Sequence, residues 1–413
     1  MRILIISDHA DPLAEIGSRE AGGQNIYVFY LTRFLCKLGI AVDVYTRWDK
    51  KNKREVIKYN CNLRVIRVKA GPKRYMPRDN FLSVIDEFAD NVLKRIEKEG
   101  INYDVVHTNY WFSGLIGLKI SKKIKRPMVH VYHSIGQIRF DSLKKLKIQD
   151  SVSDFFGKRK IAEKKIAQRA TRIIATSPVE KRIVNKLFEI PNQKIDVITI
   201  GVDTNVFNPI KKEKSRKFLR DDEKEKILLY VGRIEWRKGI GTLIYAFKNV
   251  TLKYPNSKLY IIGGGKGSAA KELEKVECEH LSKIAKELDV EDRVVFLGAK
   301  NQKILKKYYS AADVCIVPSY YEPFGIVPLE SMACGTPVVA SRTGGLQFSV
   351  KDGKTGSLAK PRDYNDLAQK INIVLKNGKN FYKDNCVERV AKHFNWIKIS
   401  QQYEKYFNKL IEK

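Results

Sequence analysis

Two carboxylates, Glu322 and Glu330, flank a short apolar run that begins with Pro323, Phe324, Gly325 and Ile326. A helix that starts at Pro323 would have its proline in the first turn, where the missing N–H costs little. Eight helical positions rise by about 12 Å, so the two carboxylates cannot hold the same atom. We expect them to hold two ends of one extended ligand, with the helix N-terminus attracting negative charge between those ends. A helix with two solvated glutamates is the alternative.

Two cations, Arg233 and Lys238, follow the apolar run ILLYV and precede a helix predicted to begin near Gly239. At the end of a parallel strand such a pair can hold a diphosphate, because arginine gives bidentate hydrogen bonds and lysine a point charge. Arg237 is a third cation that either joins them or faces solvent, and a solvated charged loop is the alternative. Together with the two glutamates, these cations predict a nucleotide-sugar site.

A glycine pair, Gly22 and Gly23, precedes an apolar-periodic helix from about Gln24, and His9 and Asn25 lie in the same region. Glycine lets a ligand approach the backbone closely, and a helix N-terminus supplies free amides. The spacing is not the dinucleotide pattern G-x-G-x-x-G, so NAD is not indicated. A plain turn between strand and helix is the alternative.

Two histidines lie near the end of the run PMVHVYH. His130 falls within the predicted strand, where a histidine is usually a packed residue. His133 falls in the loop that follows, beside Ser134 and Gly136, and it is the better candidate for a site residue.

Short β-branched runs alternate with longer amphipathic stretches along the whole chain, which predicts parallel sheets covered by helices. The predicted strands are RILIIS, AVDVYT, LRVIRV, DVVHT, MVHVYH, RIIATS, IDVIT, ILLYVG, KLYIIG, RVVFLG, VCIVPS and PVVAS. The fold class is therefore α/β, with two Rossmann-like, doubly wound domains facing a cleft. Ligands of such sheets bind beyond the carboxyl ends of the strands.

The expected domains are an acceptor-side domain over residues 1–205 and a nucleotide-sugar domain over residues 206–394. The charged segment KEKSRKFLRDDEKEK near the middle is expected to be a linker. Residues 395–413 form a predicted helix that packs back on the first domain, with one apolar side. Its apolar residues are Phe394, Ile397, Tyr403, Tyr406, Phe407 and Leu410.

The bulk composition is that of a soluble protein, with 413 residues, 43 % hydrophobic and 30 % charged. Without an apolar run of about twenty residues, no membrane span is expected. The start, MRILIISDHADP, is too soon interrupted by Asp8 for a secretory signal. Six scattered cysteines predict a reducing cytoplasm and neither disulfides nor a zinc site.

The net charge of +32 is large, and three interpretations stay open. The lysines are spread over solvated faces, or they dock the chain on an anionic membrane surface, or they bind nucleic acid, which is the least favoured because no basic patch stands out. Attraction of a negatively charged, phosphorylated substrate is compatible with all three.

The segments AGGQNIYV, HSIG, GRIEWRKG and EPFGIVPLESMACGTPVVAS, the last followed by a glycine pair, resemble motifs of the retaining glycosyltransferases of family 4, which have the GT-B fold. The last segment matches the E-x7-E motif of that family. The resemblance covers nearly the whole chain and is greatest for the branch that contains sucrose-phosphate synthases and the enzymes adding GlcNAc to inositol phosphate.

The resemblance implies a set of donor-binding residues. Gly23 is implied to contact the donor diphosphate, and Arg233 and Lys238 to bind its phosphates. Glu330 is implied to bind ribose, and Glu322 the transferred sugar. His133 is implied to lie at that sugar, beside the reaction centre. With the expected backbone contacts of Phe324, Gly325 and Ile326, these residues form the donor site.

The resemblance also implies an acceptor site. The segment AGPKRYMPRDNF resembles an acceptor-phosphate loop, which assigns Arg78 to a phosphate of the acceptor. Tyr110, Ser134 and either Arg159 or Lys160 are implied to join it, and we assign His9 and Asn25 to the same side. Gln137 departs from the basic residue usual in plant-like synthases, which argues against sucrose 6-phosphate as the product.

The activity implied is transfer of a hexose from an NDP-sugar, expected to be UDP-linked, to a hydroxyl of a phosphorylated sugar or polyol, with retention by front-face displacement. Arg233 and Lys238 are expected to replace a metal ion, so we expect no metal or other cofactor. The alternatives are a peripheral-membrane hexosyltransferase acting on a glycolipid or polysaccharide, a sugar-nucleotide binder without activity, and a nucleic-acid binder that kept the fold.

Overall fold

The computed structural model describes residues 1–14, 22–59, 62–144, 153–220, 222, 224–264 and 268–412. Within these ranges, side chains are described except for residues 78, 79, 142–144, 153, 154 and 268–273. The chain forms two units that divide between Thr199 and Ile200. Ile200–Asn395 forms the second unit, and the first contains the described residues before it together with the C-terminal segment from Trp396.

The first unit is built on a single sheet. Its strands are β1 (Arg2–Ile6), β2 (Ala41–Arg47), β3 (Val56–Lys58), β4 (Leu63–Val68), β5 (Val105–Asn109), β6 (Met128–Val131), β7 (Arg172–Ala175) and β8 (Ile195–Val197). The spatial order is β3-β4-β2-β1-β5-β6-β7-β8. Neighbours are parallel except that β3 runs antiparallel to β4 at the edge.

Within the described residues of this unit, six α-helices connect these strands. They are α1 (Gly23–Lys37), α2 (Ile85–Glu99), α3 (Trp111–Ile124), α4 (Gly136–Lys144), α5 (Ser153–Arg169) and α6 (Pro178–Phe188). The central strands are buried on both faces; every residue of β5 and β6 is buried. Strands covered on both sides read as continuous apolar runs, which is why the sequence predicted them as parallel.

The second unit has a smaller sheet. Its strands are β9 (Lys226–Val231), β10 (Ser257–Ile262), β11 (Val294–Phe296), β12 (Val314–Val317), β13 (Val338–Ser341) and β14 (Gly356–Ala359). They are all parallel, in the order β11-β10-β9-β12-β13-β14. Its helices are α7 (Lys212–Leu219), α8 (Ile240–Lys253), α9 (Ser268–Glu287), α10 (Gln302–Ala311), α11 (Val327–Ala333), α12 (Leu346–Ser349), α13 (Tyr364–Asn377) and α14 (Lys379–His393).

Two Rossmann-like α/β units with parallel sheets are thus present, and the predicted fold class is confirmed. The twelve predicted strands all occur. The sequence missed β3, which has three residues at the sheet edge, and β14, whose segment Gly356–Ala359 begins with glycine. The β3 segment has only two β-branched residues, Val56 and Ile57, too few to form a recognisable run, and β14 (GSLA) has none.

The prediction of a linker in the charged segment is wrong. Residues Lys212–Leu219 form α7, and the side chain of Arg216 is fully buried. Its Nη2 atom lies 2.7 Å from Oδ2 of Asp313, and its Nη1 atom donates to the carbonyl oxygen of Glu225 at 2.8 Å. A buried guanidinium needs such partners, so this segment is an integral part of the second unit.

The last helix, α15 (Trp396–Ile411), belongs to the first unit and packs on α1. The rings of Trp396 and Tyr30 stack at 6.2 Å, and the hydroxyl groups of Tyr403 and Tyr27 are hydrogen-bonded. The predicted helix is confirmed, but Ile397 was wrongly placed on its apolar side, because 47 % of this residue is exposed. Phe394 was also wrongly included, because it precedes the helix and its ring packs against that of Phe324 in the second unit. None of the helices in the described ranges has the length and apolar composition needed to cross a membrane.

Candidate active site

The loop that carries the predicted phosphate-binding cations follows β9. The Tyr230 hydroxyl donates to the carbonyl oxygen of Arg233 at 2.9 Å, which holds the start of the loop. Residues Trp236–Lys238 form a 3₁₀ turn, and Gly239 follows with φ of 71°. A Cβ atom on Gly239 would lie 2.2 Å from the carbonyl oxygen of Pro318, so only glycine fits there. This close approach fixes Lys238 beside the loop that follows β12.

Lys238 and Glu322 form an ion pair. The Nζ atom of Lys238 lies 2.5 Å from Oε2 of Glu322, and the two side chains are 16 % and 15 % exposed. The Ser319 hydroxyl lies 3.4 Å from the same carboxylate oxygen. Burial alone would raise the pKa of Glu322, but the charges of Lys238 and Arg237 hold it below its usual value. The carboxylate is therefore ionised near neutral pH.

Glu235, which sequence reasoning missed, joins the two arginines of this loop. Its Oε1 atom forms an ion pair with Arg237 and lies 3.6 Å from Nε of Arg233. The Arg233 side chain is 59 % exposed, so its guanidinium remains accessible to a ligand. Burial raises the pKa of Glu235, but Arg237 and Arg233 outweigh it and hold the pKa below its usual value. The motif GRIEWRKG therefore contains its own counter-charge.

The segment after Glu322 is not the helix that the sequence predicted. The helix α11 begins at Val327, with Ile326 at its N-cap, so Pro328 rather than Pro323 lies in the first turn. Gly325 has φ of 87°, a left-handed conformation that interrupts a right-handed helix. Phe324 is only 3 % exposed, and its ring meets that of Phe394 edge-on, with 6.1 Å between the ring centroids. Its side chain packs in the core, which leaves backbone groups for any ligand contact.

The glycine pair that follows the motif, Gly344 and Gly345, packs against the backbone of Glu322. The backbone N–H of Gly345 donates to the carbonyl oxygens of Glu322 and Pro323, both at 3.1 Å. A Cβ atom on Gly344 would lie 2.0 Å from the carbonyl oxygen of Glu322. The position also has φ of 47°. The pair is therefore required by close packing against the backbone that carries the first glutamate.

Glu330 lies on α11 in a different environment. Its residue is 7 % exposed, and the Tyr309 hydroxyl on α10 donates to Oε2 at 2.8 Å. Burial raises the pKa of Glu330 to about 7, although the hydrogen bond from Tyr309 acts in the opposite direction. The two glutamates of the motif thus differ in charge state near neutral pH. The partner of Glu330, Tyr309, was not predicted from the sequence.

In the first unit, the loop after β6 presents His133 with φ of 57°, which is unusual for a residue other than glycine. Its Nε2 atom lies 2.9 Å from Oδ1 of Asn109, and its ring meets that of Tyr27 edge-on at 4.7 Å. Burial lowers the pKa of His133 to about 3, with further lowering by His107 and His9. His130 is fully buried and bonded to Thr108 at 2.8 Å, so its predicted packing role is confirmed.

The helix predicted from about Gln24 begins at Gly23. Asn25 closes its first turn, because Oδ1 accepts from the N–H of Gly22 at 3.0 Å and Nδ2 donates to the carbonyl oxygen of Asp11 at 2.9 Å. Both polar atoms of the Asn25 side chain are thus engaged in holding the loop. His9 lies nearby, with its Nδ1 atom 3.3 Å from Asp8 and its ring 4.8 Å from that of Tyr110.

Arg159, Tyr110 and Ser134, which the sequence grouped together, are in mutual contact. The Arg159 side chain is 1 % exposed. Its Nη1 atom donates to the Tyr110 hydroxyl at 3.1 Å, and Nη2 to the carbonyl oxygen of Ser134 at 2.6 Å. Glu163, one helical turn along α5, accepts from Nε at 2.7 Å. Lys160, the alternative to Arg159, is exposed.

Glu163 was not predicted, although its i,i+4 spacing from Arg159 on a helix could have revealed it. Its carboxylate also accepts the backbone N–H of Gly136 at 2.9 Å, and a Cβ atom on Gly136 would lie 2.9 Å from the Arg159 side chain. Arg78 begins a 3₁₀ turn over Arg78–Val84, and its side chain lies outside the described residues.

Family models match both halves of the chain. The model described as "Glycosyltransferase Family 4" matches residues 21–206, and that described as "Glycosyl transferases group 1" matches residues 211–393. A D-inositol 3-phosphate glycosyltransferase of Corynebacterium jeikeium is 32 % identical over 99 % of this chain and 97 % of its own length. The protein of the same name from Mycolicibacterium smegmatis is 33 % identical over 91 % of this chain and 83 % of its own length.

Solved structures are similar over the whole chain. A sucrose-phosphate synthase from Thermosynechococcus elongatus superposes with a TM-score of 0.88 and 36 % identity, covering 100 % of this chain and 99 % of that chain. The Anabaena HepE structure in complex with UDP and glucose gives a TM-score of 0.72 at 20 % identity, with 98 % and 99 % covered. The second likeness concerns the fold alone.

Proposed function

Because the chain belongs to glycosyltransferase family 4 and has its GT-B fold, we propose that it transfers a hexose from a UDP-sugar to a hydroxyl group of a phosphorylated sugar or polyol, with retention at the anomeric carbon. Two similar proteins support the acceptor class, since the name of one contains inositol 3-phosphate and that of the other contains sucrose phosphate. Both names contain a phosphate ester of a polyhydroxylated molecule, and the acceptor proposed here has the same chemistry.

The observation that carries the proposal is the ion pair of Lys238 and Glu322, in a loop that also presents the exposed Arg233. A bound diphosphate offers Lys238 two new anionic partners. When Lys238 turns to them, the Glu322 carboxylate is released to accept hydrogen bonds from hydroxyl groups of the donor sugar. Donor binding therefore exchanges an internal ion pair for two ligand contacts, which limits the net cost of desolvating either group.

The same cations act in the chemical step. The diphosphate gains negative charge as the anomeric bond breaks, and the positive charges of Arg233, Arg237 and the reoriented Lys238 stabilise it. We propose a front-face displacement in which an oxygen of the leaving diphosphate takes the proton of the acceptor hydroxyl. The positive charge needed at the leaving group comes from side chains, and the proposal includes no metal ion or other cofactor.

Further donor contacts are proposed for Glu330, for His133 and for several backbone groups. Glu330 accepts hydrogen bonds from the ribose hydroxyls, and a bound ribose would favour its ionised form. Backbone groups of Phe324, Gly325 and Ile326, and of Gly23 in the first unit, contact the diphosphate. His133, neutral because of its lowered pKa, contacts the donor sugar beside the reaction centre.

The acceptor is proposed to bind to the first unit. Arg159 donates to Glu163 through Nε and to the hydroxyl oxygens of Tyr110 and Ser134 through its other nitrogens. The hydrogens of these two hydroxyl groups are then proposed to be donated to a phosphate of the acceptor. Arg78 adds positive charge and His9 contacts the acceptor, while Lys160 stays the alternative to Arg159. Asn25 is proposed to contribute by holding the loop that carries these contacts. Because Arg159 is buried among these groups, we expect it to order Tyr110 and Ser134 as well as to attract the phosphate.

We also propose a cytoplasmic location, since Cys315, Cys334 and Cys386 are buried thiols that form no disulfide within the described residues, as is usual in a reducing compartment. The second candidate function is that of a hexosyltransferase that binds an anionic membrane surface and acts on a glycolipid or polysaccharide. The net charge of +32 favours such binding. Co-sedimentation with vesicles of anionic and of zwitterionic lipid separates this candidate from a soluble enzyme. Retention only by anionic vesicles, lost in high salt, would favour it.

A screen of donors against acceptors tests the proposed function. The purified chain is incubated with UDP-, ADP- and GDP-linked hexoses and with matched phosphorylated and unphosphorylated polyols and sugars, and products are detected by mass. We expect a UDP-hexose and a phosphorylated acceptor to give product, and NMR of that product to show the anomeric configuration of the donor. Inversion, or a preference for unphosphorylated acceptors, would contradict the proposal.

A further inference from the structure

Asn109 is the last residue of β5 and is fully buried. Its Nδ2 atom lies 3.2 Å from the carbonyl oxygen of Ile6 on the neighbouring strand β1. A carbonyl oxygen can only accept, so the amide nitrogen of Asn109 must face Ile6, and its Oδ1 atom must face away. The orientation of this side-chain amide is therefore fixed by the backbone of the sheet.

The fixed amide determines which nitrogen of His133 carries the proton. Oδ1 of Asn109 is 2.9 Å from Nε2 of His133, and an amide oxygen can only accept. Nε2 must be the donor. Because burial keeps the imidazole neutral, with a pKa of about 3, Nδ1 is left unprotonated as a hydrogen-bond acceptor. No hydrogen bond to Nδ1 occurs within the described part of the chain.

His107 supports the same orientation from the other side. Its Nδ1 atom lies 3.2 Å from Nδ2 of Asn109 and must accept, so the proton of His107 is on Nε2. That Nε2 atom is buried without a hydrogen-bond partner in the described chain, and the ring meets those of Tyr403 and Phe407 edge-on at 5.8 and 6.2 Å. A protonated His107 would present a second donor to Asn109, and its burial lowers its pKa to about 3. Helix α15 thus helps to keep the network in one protonation state.

We infer that Asn109 is a positioning residue that sets His133 to accept, through Nδ1, a hydrogen bond from a substrate hydroxyl group. This rests on the proposed function in one respect, namely that a sugar hydroxyl binds beside His133. In this arrangement His133 orients a hydroxyl and has no proton on Nδ1 to donate to the leaving group. The left-handed backbone of His133 and the edge-on Tyr27 ring hold the imidazole in place for this contact.

The tautomer can be measured without substrate. The chain has six histidines, so selective ¹⁵N-histidine labelling gives few signals, and those missing from a His133→Gln variant belong to His133. Two-bond ¹H–¹⁵N correlations are expected to show the proton on Nε2 of His133 and no protonation between about pH 5 and 8. A proton on Nδ1, or a titration in that range, would overturn the inference whatever the enzymatic activity proves to be.

Two substitutions test whether Asn109 sets this state. In Asn109→Asp the carboxylate favours an imidazolium, so the pKa of His133 is expected to rise into the measured range. The value of kcat/KM is expected to fall by about tenfold to hundredfold while His133 is protonated and to recover partly at higher pH. Asn109→Leu removes the acceptor and is expected to give both tautomers. Asn185→Asp is the matched control, because Asn185 also donates to a backbone carbonyl, that of Ile190 at 2.7 Å.

The outcomes separate positioning from mere structural support. A fall in kcat/KM for Asn109→Asp with an unchanged tautomer, an unchanged pKa of His133 and an unchanged pH profile would contradict the inference. If the wild-type chain transfers no hexose but shows the expected tautomer and its loss in the variants, the proposed function fails while the role of Asn109 stands. A set of monodeoxy donor and acceptor sugars then identifies the hydroxyl group that His133 accepts from. For the analogue that lacks this hydroxyl, wild type and Asn109→Leu are expected to have the same low kcat/KM, because the contact is already lost.

Discussion

The ammonium group of Lys238 lies 2.5 Å from the carboxylate of Glu322, and both side chains are largely buried in the second unit. The residues are 84 positions apart in the chain. The pair joins two motifs that the sequence assigned to different parts of a donor molecule. The lysine proposed to bind phosphate is thus paired with the carboxylate proposed to bind the sugar, and each of the two charges can be removed separately or together.

Removing the lysine alone is expected to lower both stability and activity. Lys238→Met leaves the Glu322 carboxylate without its main counter-charge, which is expected to cost on the order of 3 kcal/mol in the free energy of unfolding. Transfer activity is expected to fall by about 10²- to 10³-fold in kcat because the leaving diphosphate loses a donor. Denaturant titration and steady-state kinetics measure the two effects.

The double variant Lys238→Met/Glu322→Gln separates the two effects. It removes both charges, so most of the lost stability is expected to return while activity stays low. Lys283→Met, in a pair whose side chains are 77 % and 56 % exposed, is expected to change neither quantity noticeably. Wild-type activity in Lys238→Met would rule out a role of this lysine at the diphosphate.

Glu330 is expected to make stability depend on pH. Its pKa is about 7 in the folded chain against an ordinary value of 4.5, so between these values the folded state binds more protons than the unfolded state. The free energy of unfolding contributed by this group therefore falls as pH rises through that window, by about 3 kcal/mol in total. At pH 8 Glu330→Gln is expected to be more stable than wild type, and the difference is expected to vanish below about pH 4.5.

Urea unfolding at several pH values, with Glu279→Gln as a control, tests this expectation. Glu279 has a side chain that is 66 % exposed, so its variant should follow the wild-type curve. The same Glu330→Gln protein should bind UDP more weakly if Glu330 holds the ribose. Curves for wild type and Glu330→Gln that run parallel from pH 4 to 8 would show that Glu330 titrates normally.

Glycine at position 344 is expected to be essential for the geometry of Glu322. A Cβ atom there would lie 2.0 Å from the carbonyl oxygen of Glu322, and φ is 47°. Gly344→Ala is expected to displace the Glu322 backbone, to lower kcat by at least about tenfold, and to cost about 1–3 kcal/mol of stability. Gly353→Ala is the matched control, since it also has positive φ but its Cβ atom would meet nothing within 4 Å. Equal kinetic effects of the two variants would argue against a steric role of Gly344.

Arg78 is expected to act on the acceptor alone. Arg78→Ala is expected to raise KM for a phosphorylated acceptor by about 10- to 100-fold, because it removes a charge-assisted hydrogen bond, while KM for the donor stays near the wild-type value. Competition with inorganic phosphate measures the same contact independently of transfer. An equal loss for donor and acceptor would reject the acceptor role of Arg78.

Much of the fold was predictable because its signals are local. A buried parallel strand is an uninterrupted apolar run, so β9 and β12 stand out in the sequence, and a strand histidine such as His130 was correctly assigned to packing. The short edge strand β3 and the glycine-initiated β14 lack that signal. The charged segment was wrongly predicted to be a linker because its polar composition indicates exposure to solvent. In the structure, Arg216 of this segment is buried and forms an ion pair with Asp313, 97 positions away in the chain.

The candidate site residues were chosen by residue type and motif, and the sequence did not reveal their partners. Nothing near Glu330 in the sequence points to Tyr309, which precedes it by 21 positions on another helix. The conformation after Glu322 was predicted as helical from Pro323 onward, but the positive φ of Gly325 delays the helix to Val327. Asn109 carries no motif at all, and its role emerges only when β1, β5 and the loop after β6 meet.

The hydroxyl groups of Tyr27 and Tyr403 meet across 376 positions of the chain, because the final helix completes the first unit. During synthesis on the ribosome, the face of α1 that receives Trp396 cannot be covered by α15 until residues 396–411 emerge, by which time residues 200–395 have already been made. A fragment that stops at Thr199 therefore lacks the helix α15, which is part of the first unit. Dissection of this chain into separately expressed halves requires that residues 396–413 be rejoined to the first half by a short tether.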